Sequence, residues 1–148
     1  NIELFEINKK RVLAIHTGGT KICKNAYVGS NSVIACNIFE GFCEIGSETY
    51  VDNMVHISHN NLIGKKTIIT TGVVISGSVT VGDNCWIANG AVISNGITIG
   101  NNVKINTAAV VVENVEDDKT IAGFYAVDNQ AWLLHNINLR KSFKNNKS

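Results

Sequence analysis

From Ile45 to Val111 every sixth residue is isoleucine or valine. The series runs Ile45, Val51, Ile57, Ile63, Ile69, Ile75, Val81, Ile87, Ile93, Ile99, Ile105, Val111 without a break. A helix repeats its apolar positions near every 3.6 residues and a flat strand at every second, so a strict period of six fits neither. Glycine follows the ladder residue at 46, 64, 82 and 100, which groups three hexads into a unit of eighteen. This is the pattern of a hexapeptide solenoid with three short strands and three corners per coil. One coil cannot bury its own aliphatic row, but stacked coils place Ile on Ile in a continuous internal column. β-Branched residues suit that column, being stiff at χ1 and well packed on a pleated surface. The position four beyond the ladder is small or aliphatic at Thr49, Val55, Thr67, Val73, Val79, Cys85, Ala91 and Val103, and is expected to point inward as well.

Leu4 to Ile15 predicts one or two strands, followed by a turn at His16-Thr-Gly-Gly-Thr20 in which His16 reads as a surface-loop histidine. The period begins with Ile22, Val28 and Ile34, and five to six coils are expected, ending near Val115. Gly29 precedes Gly46 by seventeen residues, one short of a coil, which predicts a tight corner around Cys36 to Gly41. An acidic exit loop, Glu113 to Lys119, leads to a last strand over Ile121 to Val127. Asp128 is placed to cap a helix from Asn129 to about Phe143, and Arg140, Lys141, Lys144 and Lys147 make a basic tail. The divisions are thus 1–21, a lead-in; 22–127, the solenoid; and 128–148, helix and tail.

Composition narrows the function classes. At 148 residues and 45% hydrophobic content the chain is one domain's worth of protein, and a net charge of +1 gives no preference for nucleic acid. No apolar run approaches a membrane span and no secretory signal pattern opens the chain, so a cytoplasmic location is expected. Cys23, Cys36, Cys43 and Cys85 lack metal or redox spacing; Cys43 and Cys85 fall on the inward position and read as buried thiols. Because the chain starts at Asn1, a fragment of a longer protein is one expectation.

Inward positions belong to the core, so chemistry has to stand on outward ones. His59 lies two beyond ladder residue Ile57 at an outward corner, and the eighteen-residue step places Gly77 and Asn95 in the same column. Coils stack at roughly 5 Å per step. An imidazole can take a proton from an attacking nucleophile, and a bare glycine amide one coil away can receive charge developing on a carbonyl oxygen. Those two roles suffice for acyl transfer. The competing reading is an exposed corner histidine with no reaction. Asp52 is a candidate to orient a histidine or a surface carboxylate, and Trp86, outward like His56, a candidate to stack on a ligand or to fill a subunit interface. A zinc site would have to recruit His16 or His135 from far along the chain; no metal is expected.

Residues 22 to 127 resemble the left-handed parallel β-helix of the hexapeptide-repeat acyltransferases. Val51-Asp-Asn-Met-Val-His-Ile-Ser-His-Asn-Asn-Leu-Ile-Gly64 is similar to the segment around the catalytic histidine in the UDP-3-O-acylglucosamine N-acyltransferases of lipid A synthesis, and Gly72 to Gly82 resembles the coil that follows. The resemblance implies His59 as general base and the Gly77 amide as oxyanion donor. It also implies substrate contacts from His56 and Asn60 and a homotrimer with sites between subunits. Three departures stand out: the uridine-binding domain has no counterpart in the roughly twenty residues before the repeat, the second active-site histidine falls on Gly96, and basic surface for an acyl carrier protein is not evident. Related sugar N-acetyltransferases of the same fold use acetyl-CoA.

The function expected is an acyltransferase that moves an acetyl or longer acyl group from a CoA or acyl-carrier-protein thioester to the amine of a nucleotide-linked amino sugar, in surface-polysaccharide or lipopolysaccharide synthesis. Its candidate site residues are His59 and Gly77 for catalysis, His56, Asn60, Asp52 and Asn95 for substrate, and Trp86 for the cofactor. The alternative is a non-catalytic solenoid that serves oligomerisation or scaffolding.

Overall fold

A computed structural model describes residues 2–123, 128–130, 133–135, 137 and 138. The chain winds as a left-handed parallel β-helix whose two-residue strands stack into three flat faces. The first face carries Gly19–Ile22, Phe42–Ile45, Leu62–Ile63, Thr80–Val81 and Thr98–Ile99, with a bridge from Ile99 to Val115. The second carries Tyr27–Val28, Tyr50–Val51, Ile68–Ile69, Trp86–Ile87, Lys104–Ile105 and Thr120–Ile121. The third carries Val33–Ile34, His56–Ile57, Val74–Ile75, Val92–Ile93 and Val110–Val111.

The ladder is the core. None of its twelve residues is more than 4% exposed, and each buried Ile or Val contributes about 1.5–3 kcal/mol. The second inward position is buried as expected, and its polar members bond across coils: Thr49 Oγ1 donates to Gly64 O at 2.7 Å, Thr67 Oγ1 to Gly82 O at 3.0 Å and Cys85 Sγ to Gly100 O at 3.1 Å.

Corners are made by one residue in the left-handed region, three beyond every ladder residue from Ile45 to Ile105. Glu48, Met54, Asn60, Lys66, Ser78, Asn84, Asn102 and Ala108 sit there with φ between 54° and 61°, and Gly72, Gly90 and Gly96 occupy the equivalent places. Asn and Gly tolerate this conformation best. The glycines at 46, 64 and 82 serve a different need: a Cβ on any of them would strike the backbone of the next coil, at 2.6 Å from Gly100 O in the case of Gly82.

The corner predicted to be tight is instead enlarged. Ile22 pairs with Ile45, twenty-three residues on rather than eighteen, so five residues are inserted between Ile34 and Phe42. Gly29 follows a second-face strand and Gly46 a first-face strand, so the two glycines never occupied equivalent corners and their spacing carried no register information.

At the N-terminal end Ile2–Ile7 and Lys10–Ile15 form an antiparallel hairpin. Its turn residues Asn8 and Lys9 both have positive φ, 51° and 61°, as in the type I′ two-residue hairpin turn. At the other end helical backbone covers 129–130, 133–135, 137 and 138, and Asp128 Oδ1 accepts the Gln130 amide at 2.9 Å as an N-cap. The expected strand beyond Ile121 lies mostly outside the described residues, as do Trp132, Leu139, Phe143 and the basic tail.

Candidate active site

The corners between the third and first faces form one outward column, and His59, Gly77 and Asn95 stand in it as the spacing required. The stacking is direct: Ser78 N donates to His59 O at 2.9 Å, and Gly96 N donates to Gly77 O at 3.0 Å. His59 is half-buried, Gly77 is buried beneath it and Asn95 is exposed.

The imidazole lies on Gly77. A Cβ on that glycine would fall 2.7 Å from His59 Nε2 and 3.0 Å from Nδ1, with Cε1 closer still. Gly77 is therefore required as the floor on which the nitrogen-bearing edge of the ring rests. Among the described residues the Gly77 amide donates to no backbone carbonyl, whereas those of Ser76 and Ser78 donate to Ile93 O and His59 O.

The polar frame beneath this corner includes a residue that the hydrophobic pattern passed over. Asn61 is fully buried at the second inward position, where neighbouring coils carry Cys43, Val79 and Ile97. Its amide donates to Ser58 O at 2.8 Å and Ser76 O at 3.0 Å, and its oxygen accepts the Val79 amide at 2.6 Å. These bonds tie the coil of His59 to the coil of Gly77 on both sides of the glycine. A polar residue in an otherwise apolar column, two beyond a candidate histidine, was the signal available in the sequence.

Above His59 the five-residue insertion is folded onto the same corner. Asn60 holds it, its Oδ1 accepting the Ile38 amide at 2.9 Å. The segment before the first coil is held in turn, since Thr17 N donates to Ile38 O at 3.0 Å and Gly19 N to Gly41 O at 2.9 Å. This brings His16 to His59, with ring centroids 5.7 Å apart and planes at 85°. His16 does lie in a loop and is half-buried, but its ring is turned from the surface: both its nitrogens, and Nδ1 of His59, are shielded from solvent. No group of three or more potential metal ligands occurs among the described residues.

The other expected site residues are dispersed. His56 is exposed on the third face between Val33 and Val74, one strand before the His59 corner. Asp52 stands at the preceding corner, between the second and third faces. There its Oδ2 accepts Thr71 Oγ1 at 2.8 Å and its Oδ1 accepts the Asn53 amide at 2.8 Å, so it does not orient His59. The Thr71 and Asn53 bonds hold its carboxyl below the usual carboxylate range. Trp86 is half exposed on the second face, opposite the His59 corner, and joins it in no single chain. Gly96, where the resemblance placed a second histidine, has φ of 73° and open space around it. All four cysteines are free thiols, and burial pushes those of Cys43 and Cys85 up.

No family model and no curated protein matches the sequence. Solved structures do. The UDP-N-acetylglucosamine acyltransferase of Arabidopsis superposes with a TM-score of 0.68 at 24% identity, covering 74% of this chain and 39% of that one. A variant of the perosamine N-acetyltransferase from Caulobacter crescentus, in complex with CoA and GDP-perosamine, gives a TM-score of 0.58 at 19% identity over 74% of this chain and 52% of that one. The chain thus spans about two fifths to one half of the length of these neighbours. At such identities the likeness is one of fold, and it agrees with the hexapeptide-repeat β-helix read from the ladder.

Proposed function

We propose that the protein is an acyltransferase that passes an acetyl or longer acyl group from a CoA or acyl-carrier-protein thioester to the amine of a nucleotide-linked amino sugar. The observation that carries this reading is the seating of His59 on Gly77 at an outward corner, a base stacked one coil from a small residue whose amide donates to no backbone carbonyl among the described residues. His59 takes the proton as the amine nitrogen attacks the thioester carbonyl. The oxygen becomes an oxyanion that the Gly77 N–H stabilises. Collapse of the adduct breaks the carbon–sulfur bond, and the imidazolium returns its proton to the departing thiolate. No covalent enzyme intermediate and no metal is needed.

His56, Asn60 and Asn95 border the corner and contact the acceptor in this reading. Asp52 and Trp86 lie elsewhere on the coil and reach the reactants only as groups presented by another copy. A homotrimer with sites between subunits, as in the family that the sequence resembles, supplies that arrangement and makes Trp86 a contact for the thioester cofactor. The solved neighbours support the substrate class, one carrying a nucleotide sugar in its name and the other holding CoA with GDP-perosamine.

The test is transfer from acetyl-CoA, and from acyl carrier protein, to a panel of nucleotide-linked amino sugars. His59→Ala is expected to lower kcat by about 100-fold or more, the usual loss for a general base. Wild-type turnover by His59→Ala would refute the mechanism. Failure of any donor or acceptor to raise the melting temperature would point to a scaffold instead.

A further inference from the structure

We infer that His16 is a positioning residue for His59, holding its ring in the orientation that the proposed base requires. The inference rests on the reading of His59 as that base. A corner histidine has two rotatable side-chain bonds and no strand geometry to fix them, yet a base works only within hydrogen-bond reach of the proton it removes. His59 is held from two directions. Gly77 supplies the floor, leaving no room for a Cβ beneath the ring. His16 supplies the second contact, edge to face at 5.7 Å and 85°, within the range in which aromatic rings attract in a T-shape.

The contact is built rather than incidental. His16 lies forty-three residues before His59 and is anchored through backbone bonds on its own side of the corner. Thr17 N to Ile38 O and Gly19 N to Gly41 O fix the segment to the insertion, and Ile38 N to Asn60 Oδ1 fixes the insertion to the residue beside His59. Gly18 completes the fit, because a Cβ there would meet the Phe39 carbonyl and the Asn37 side chain. The loop of contacts closes from His16 through the insertion and Asn60 back to His59. The insertion that interrupts the hexad thereby has a use: it carries the N-terminal segment to the candidate base.

Three variants of the full chain test this, with acetyl-CoA and an accepted amino sugar as substrates and 15N spectra of the imidazoles recorded without substrate. His16→Ala is expected to lower kcat about 10- to 100-fold, the loss that follows from misplacing a reacting group by about an ångström, with KM for both substrates unchanged. It should also shift the ring signals of His59. His16→Phe, which keeps a planar ring, should restore most of kcat and retain the fold if the alanine variant does not. Wild-type kcat in His16→Ala, with His59→Ala inactive, would overturn the inference, as would a folded His16→Phe as impaired as His16→Ala. If His59→Ala itself keeps full activity, the proposed function fails, and the His59 ring signals still decide whether His16 positions that ring.

Discussion

Single residues matter in this molecule according to what the next coil leaves room for. Gly77 illustrates it: the glycine is needed for the space above it, and its φ is not in the left-handed region. Gly77→Ala is therefore expected to leave the solenoid folded and to displace the imidazole of His59, lowering kcat by about 100-fold. The check is steady-state kinetics beside a far-UV circular dichroism spectrum that matches wild type. Asn61 shows the same logic inward. A buried amide is costly unless its donors and acceptors are met, and its three bonds reach the two coils that the candidate chemistry needs in register.

At the scale of the element, the unit of this fold is the corner, because the strands between corners are two residues long in most coils. Corners also carry the ties between coils that respond to pH. The Asp52 carboxyl is lowered first by Thr71 and then by the Asn53 amide. A carboxyl with a depressed folded-state pKa adds stability above its ordinary value of 3.8 and loses that stability as pH falls through the lower folded value. Urea midpoints of the wild type should therefore drop as pH is lowered below 3.8, and those of Asp52→Asn should drop less. An equal fall in both would remove Asp52 from the account. The enlarged corner over 36–41 is the element that the sequence hid. Its five extra residues follow the third hexad of the first coil, which has no glycine after its first-face strand to mark the phase, so the spacing from Gly29 to Gly46 compares two different corners.

At the scale of the whole molecule, two of the three faces present apolar rows to the outside. The second face exposes the stacked pair Tyr27 and Tyr50 and then Trp86, and the third exposes Val33, Val74 and Val110, with His56 between the first two. The first face is more polar, with Lys21 and Glu44 paired at 3.0 Å. Apolar rows of this kind mark surfaces that other surfaces cover, in line with the proposed trimer. A charge in the middle of the third face, Val74→Glu, is expected to shift sedimentation equilibrium from three chain masses toward one and to reduce transfer with it. A variant that sediments as the wild type would place the contact elsewhere. No helix among the described residues is long and apolar enough to cross a membrane.

The sequence by itself determined the coil: a period of six with a superperiod of eighteen admits few other ways to bury twelve aliphatic side chains, and it put His59, Gly77 and Asn95 in one column because stacking converts spacing into contact. It could not determine what crosses the column sideways. The approach of His16 depends on a five-residue insertion and on backbone bonds from Thr17, Gly19 and Ile38, none of which leaves a periodic trace. The placing of Asp52 and Trp86 away from His59 follows from which corner or face each hexad occupies. All outward positions look alike in a six-residue repeat, and only the closed triangle of the coil tells one side from another.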